Sequence, residues 1–127
     1  MLDELADYQR SETTWARPAC IVQPVKTSDV QEAVRILVAQ SIPFAIRAGG
    51  HSPSPAAGNI NRGVLFDVSS LNGAVRYDAA NNVASVGPGL TWGHVYRQLD
   101  AYKVTAVGGR MVDVGVGGFL LGCKFGS

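Results

Sequence analysis

The sequence predicts an α+β domain in which a small parallel βαβ subdomain comes first and an antiparallel-sheet subdomain follows. Three observations carry this expectation. A helical apolar repeat lies between two short strands near the start, the pattern changes to strand alternation around an Asn-Asn turn, and glycine clusters punctuate the strands. At 127 residues there is room for one such domain and none for a second of ordinary size.

The elements follow in order. Asp3 to Tyr8 reads as a weak helix within an N-terminal helical extension over residues 1–18. Cys20 to Pro24 is a short strand, stopped by a proline that cannot donate to a ladder. Over Thr27 to Gln40, Val30, Ala33, Val34, Leu37 and Val38 recur at helical spacing, with Ser28 and Gln31 placed as a capping box. Pro43 to Arg47 reads as a buried strand that delivers the chain into Gly49-Gly50-His51, and Val64 to Val68 as another. After Ser69-Ser70-Leu71, the segments Val75-Arg76-Tyr77 and Val83 to Val86 alternate about a turn at Asn81-Asn82, the pattern of a hairpin. Thr91 is placed to cap a helix in which Val95 and Leu99 share a face, and Val104 to Val107 reads as one more strand.

Composition narrows the partners. Eleven Lys and Arg against ten Asp and Glu give a formal charge of +1, and the basic residues are scattered, so nothing marks a nucleic-acid or anionic-membrane surface. Cys20 and Cys123 lie at opposite ends without metal-ligand spacing, which indicates neither a zinc site nor a disulfide framework. The start, Met1-Leu2-Asp3-Glu4-Leu5, carries acids where a signal peptide needs a basic and then an apolar stretch, and no run approaches the ~18 apolar residues of a membrane span. The expectation from the chain as written is a cytoplasmic protein.

The 15 glycines concentrate in Gly49-Gly50, Gly87-Pro88-Gly89, Gly108-Gly109 and Gly115-Val116-Gly117-Gly118, with apolar runs between them. Such clusters mark places where backbone turns sharply or approaches a ligand closely. Arg47-Ala48-Gly49-Gly50-His51-Ser52 leaves a strand with bare backbone that can present N–H groups to a pyrophosphate, and by itself the pattern equally fits a tight turn. Val114 to Gly122 superficially resembles a dinucleotide fingerprint. That motif belongs after the first strand of a βαβ unit with an acidic residue downstream, so a second glycine loop closing on the same ligand fits better here. His94, a lone histidine in a helix, reads as surface or helix packing.

Four segments occur in one order: Arg47-x-Gly-Gly-His51-Ser52, Leu65-Phe66-Asp67-Val68-Ser69-Ser70-Leu71-Asn72, Val86-Gly87-Pro88-Gly89 before the Trp92 helix, and Val114-Gly115-Val116-Gly117-Gly118. Together they resemble the FAD-binding domain of the vanillyl-alcohol oxidase and para-cresol methylhydroxylase (PCMH) type, closest to its berberine-bridge-enzyme-like branch. The resemblance runs over residues 19–122. It implies that Arg47, Ala48, Gly49, Gly50, His51 and Ser52 wrap the FAD pyrophosphate and that His51 carries a covalent bond to the flavin 8α-methyl group. It further implies that backbone around Pro24, Leu71, Gly87, Pro88, Gly89, Gly115, Val116, Gly117 and Gly118 lines the adenine, ribose and phosphates. Relatives that bind FAD without the bond leave His51 the alternative of a solvent-facing turn histidine.

Departures from the pattern add three expectations. Many relatives place a cysteine for a second flavin bond where this chain has Met111, whose thioether supplies no thiol, so a single link is expected. The family continues past the last motif, whereas here residues 123–127 form an aberrant tail and the domain reads as incomplete at its C-terminus. The substrate domain and its bases lie C-terminal to the flavin domain in this family. Asp67, Asp78 and Asp100 form no recognisable titratable constellation, so the expected catalytic set within the chain is empty. The implied function is FAD binding within an oxidoreductase that passes a hydride from a small-molecule substrate to flavin and then to oxygen. The competing expectation is a non-catalytic remnant with an exposed apolar edge at Val104 to Val107 that binds FAD weakly or not at all.

Overall fold

The computed structural model describes residues 15–52 and 57–122. The helix expected at Asp3 to Tyr8 and the tail at 123–127 lie outside the described residues. Cys20–Val22 (β1), Phe44–Arg47 (β2) and Val64–Asp67 (β3) form a parallel sheet, and Arg76–Asp78 (β4) and Val83–Ser85 (β5) an antiparallel pair, the α+β order expected.

The strand order adds what no local pattern carries. β1 and β2, which the first helix joins, both pair with β3, and β3 lies between them. The side chains suit that order. Leu65 and Phe66 on β3 are 1% exposed, as a strand covered on both faces requires, whereas Ile21 on β1 and Ile46 on β2 remain more than half exposed. Phe44 meets Phe66 edge-on at a ring separation of 5.7 Å across the β2–β3 boundary.

The first helix, Thr27–Ala39 (α1), forms where the apolar repeat predicts it and buries Leu37. Its capping differs. The carboxylate of Asp29 accepts the backbone N–H groups of Val25 and Lys26, each at 3.2 Å, in place of the expected Ser28–Gln31 box. Ser28 already lies inside the first turn, so it does not occupy the preceding position from which a side chain caps the free N–H groups.

The second half has its own core. Val75, Leu90, Trp92, Val95, Leu99 and Val116 cluster together, and Val95 and Leu99 share the buried face of the helix Trp92–Asp100 (α2) as their spacing predicts. The Trp92 ring rests on bare backbone, since a Cβ on Gly108 would lie 2.2 Å from it, and it packs against Tyr96 and Phe119. Thr91 precedes α2 as expected, but its hydroxyl lies 2.8 Å from Nδ1 of the exposed His94.

The strand expected at Val104 to Val107 does not form. Val104 and Ala106 turn inward against the Trp92 cluster while Thr105 and Val107 are exposed. The alternation records that packing, and no strand among the described residues pairs with the segment.

Where β2 and β3 end, Arg47 and Asp67 stand opposite each other in register, Nη2 to Oδ2 at 2.8 Å, with side chains 20% and 11% exposed. The sequence alone left Asp67 without a partner; the sheet register supplies one. Burial alone raises the Asp67 pKa, but hydrogen bonds from Ser69 and Arg47 with the guanidinium charge outweigh it and hold the group below its ordinary 3.8. Because the folded pKa is depressed, the pair stabilises the fold above the ordinary carboxylate value, and that contribution is lost as pH falls through it toward the folded value. Asp67→Asn is therefore expected to lose about 2 kcal/mol at pH 7, with the gap to wild type closing below about pH 4, as read by denaturant unfolding at several pH values.

Candidate functional site

The glycine loop begins where Arg47 ends β2. Gly50 adopts φ 66°, the left-handed conformation that branched side chains resist, and this turns the chain so that His51 emerges exposed at the loop's far end. Gly49 lies directly against Gly115. A Cβ on Gly49 would stand 2.5 Å from the Gly115 nitrogen, and one on Gly115 would stand 2.4 Å from the Gly49 nitrogen. Two segments far apart in sequence thus cross backbone on backbone, a contact open to glycine alone.

The other motifs join at this crossing. The space a Gly117 Cβ would take is bounded by the Pro88 carbonyl at 3.0 Å and the Ala48 methyl at 3.4 Å, which brings three of the segments together. Gly87 abuts the Leu71 carbonyl, and Gly89 lies against the carbonyls of Val68 and Ser69. The Gly89 N–H donates to Leu71 O at 3.1 Å, and the Val116 N–H to Leu90 O at 2.9 Å. All four segments read from the sequence therefore assemble on one framework of backbone contacts. Pro24 is buried just beyond β1, and Ser52 is exposed after His51.

One segment takes a different form from that expected. Gly115 to Gly118, read as a loop, instead starts a short helix, Val116–Leu121 (α3), with Gly115 at its N-cap. Two glycines disfavour a helix locally. Burial of Val116 and the edge-on contact of Phe119 with Trp92, at 5.3 Å, offset that cost. A Cβ on Gly118 would meet nothing within 4 Å, so that side of the first turn is open.

The charges sort into two pairs. Arg47 is engaged by Asp67, so its guanidinium acts first as a brace between strand ends. At the loop's other end, Nε2 of His51 lies 3.9 Å from a carboxylate oxygen of Asp113, with both side chains more than half exposed. Asp113 was not among the candidates the sequence offered. Nothing in its local pattern points to His51, and the link exists only because Gly49 and Gly115 cross. Met111, where a second thiol would stand, is 60% exposed. Among the described residues no group of three or more His, Cys, Asp and Glu could hold a metal ion.

Comparison with known proteins accords with this geometry. The chain is 41% identical over 107 residues to the FAD-dependent monooxygenase tpcD of Cochliobolus heterostrophus, a match covering 84% of this chain and 20% of that protein. It is 45% identical over 107 residues to the FAD-dependent monooxygenase sdcF of Emericella nidulans, covering 83% and 22%. Among solved structures, the glucooligosaccharide oxidase of Acremonium strictum, described with a 6-S-cysteinyl, 8α-N1-histidyl FAD, superposes with a TM-score of 0.73 at 26% identity over 85% of this chain and 23% of that one. The chain thus spans about a fifth of the length of the relatives it matches. The family described as FAD binding domain matches residues 18–127, nearly the whole of the sequence, and with the PCMH-type arrangement of its two sheets the chain belongs to that family.

Proposed function

We propose that this chain is the cofactor-holding element of an FAD-dependent oxidoreductase, with His51 as the point of attachment for FAD. The observation that carries the reading is the backbone crossing of Gly49 and Gly115, which a side chain at either position would abolish. A diphosphate has no shape that side chains must match; it needs bare N–H groups held at fixed positions, and glycine backbone supplies them. The group fits the residues present: Gly50 has the left-handed turn, and Gly118 leaves open space at the start of α3. FAD when bound supplies the two-electron chemistry.

The chain's own residues do the holding. The Gly49-Gly50 and Gly115-Gly118 segments present backbone, the Gly87-Pro88-Gly89 turn and Leu71 close the same framework, and the Arg47–Asp67 brace fixes the strand ends from which the loop departs. His51 stands exposed at the loop's end, where its ring is free to be alkylated. The histidyl linkage described for the Acremonium oxidase supports this assignment, and Met111 supports a single link here. Substrate oxidation belongs to the whole oxidoreductase, of which relatives of this kind are about five times longer.

Two outcomes test the reading. Purified protein is expected to be yellow, with a fluorescent flavin band that survives denaturing electrophoresis in wild type and is absent in His51→Ala; a persisting band in the variant refutes the attachment. Gly50→Val is expected to lower flavin content about tenfold, since a branched residue at φ 66° costs on the order of 1–3 kcal/mol, whereas Arg76→Ala on the exposed hairpin leaves it unchanged. Equal flavin content in those two variants would contradict a backbone-held cofactor.

A further inference from the structure

The carboxylate that the fold brings to His51 has no role in the function just proposed. Asp113 sits two residues before Gly115, and His51 two residues after Gly49, so the glycine crossing fixes the separation of these side chains from both sides. Further anchors hold the Asp113 segment: the Val114 carbonyl accepts from Trp92 N–H at 3.0 Å and the Val112 carbonyl from Gly93 N–H at 2.9 Å, at the rigid start of α2. The pair is therefore set by backbone on both sides. The nitrogen facing the carboxylate is Nε2, at 3.9 Å.

From this we infer that Asp113 is the positioning residue for flavin attachment: it holds the His51 ring with Nε2–H toward its carboxylate and so leaves Nδ1 as the nucleophile. The inference rests on His51 being the attachment point. A neutral imidazole carries one N–H, and the partner of that N–H decides which nitrogen keeps a free lone pair. At 3.9 Å the two groups face each other just beyond hydrogen-bond reach, and a small rotation of either exposed side chain closes the gap. A carboxylate accepts and cannot donate, so beside Asp113 the favoured tautomer has its hydrogen on Nε2. The step balances as follows. His51 Nδ1 forms a bond to the flavin methyl carbon, one methyl C–H bond breaks and its proton leaves to solvent, and the Nε2 proton passes to Asp113 and on to solvent, so the alkylated ring ends neutral. The electron pair released goes to dioxygen, which with two protons becomes hydrogen peroxide. Exposed to water, the contact between a neutral imidazole and a carboxylate is worth little; a ring system bound over it would exclude water and strengthen it.

The test is apo-protein mixed with FAD in air, followed by acid precipitation and flavin fluorescence of the pellet, together with imidazole ¹⁵N spectra of the apo-protein. Asp113→Asn is expected to slow covalent incorporation by about a hundredfold or more, the low end of what a proton acceptor contributes, while Asp113→Glu restores most of the rate. The ¹⁵N shifts are expected to show the Nε2–H form of His51 in wild type and a shift toward Nδ1–H in Asp113→Asn, a signature that loss of folding alone does not give. Incorporation at the wild-type rate in Asp113→Asn, with His51→Ala inactive, would overturn the role of Asp113 and leave the attachment point standing. Incorporation in His51→Ala would instead remove the earlier reading. Should no chain incorporate flavin, the tautomer decides: an Nδ1–H form in wild type, unchanged in Asp113→Asn, overturns the inference.

Discussion

The rest of the site depends on two glycines that touch. Gly49 and Gly115 come from opposite halves of the chain, one at the end of the parallel sheet and one at the start of α3, and no methyl group fits between them. Each half has its own apolar cluster, Leu65 and Phe66 in the sheet and Trp92 with its neighbours in the other. The crossing docks them, and Ala48, Pro88 and Gly117 close around it. A larger residue at either glycine would separate the halves and with them the glycine segments that meet at the crossing.

Electrostatics reinforces this frame without creating it. Arg47 and Asp67 face each other because the β2–β3 register places them in one row, and their low exposure keeps solvent from screening the contact. His51 and Asp113 are exposed and lie further apart, so their geometry comes from the backbone beneath them. One pair is structural in origin and the other is positioned.

Much of this was legible in the sequence. The α1 repeat, the hairpin, the buried face of α2 and the ordered glycine segments each follow from local spacing, and local spacing is what a single sequence displays. What could not be read were consequences of register and docking. The Asp67 partner depends on β3 lying beside β2, the helical form of Val116 to Leu121 depends on Phe119 finding Trp92, and the link from Asp113 to His51 depends on the glycine crossing. The false strand at Val104 to Val107 shows the same limit from the other side, since alternation produced by packing against a core is indistinguishable from alternation in a ladder.

The central position of β3 has a consequence in time. Among the described residues β1 and β2 share no hydrogen bonds with each other, and each finds its only partner strand in β3. During synthesis both therefore wait, with Ile21, Phe44 and Ile46 unpaired, until Val64 to Asp67 leave the ribosome and slot between them. Parallel pairing of this kind closes long loops before any contact rewards the closure, so the sheet cannot be completed until β3 is available to both its neighbours.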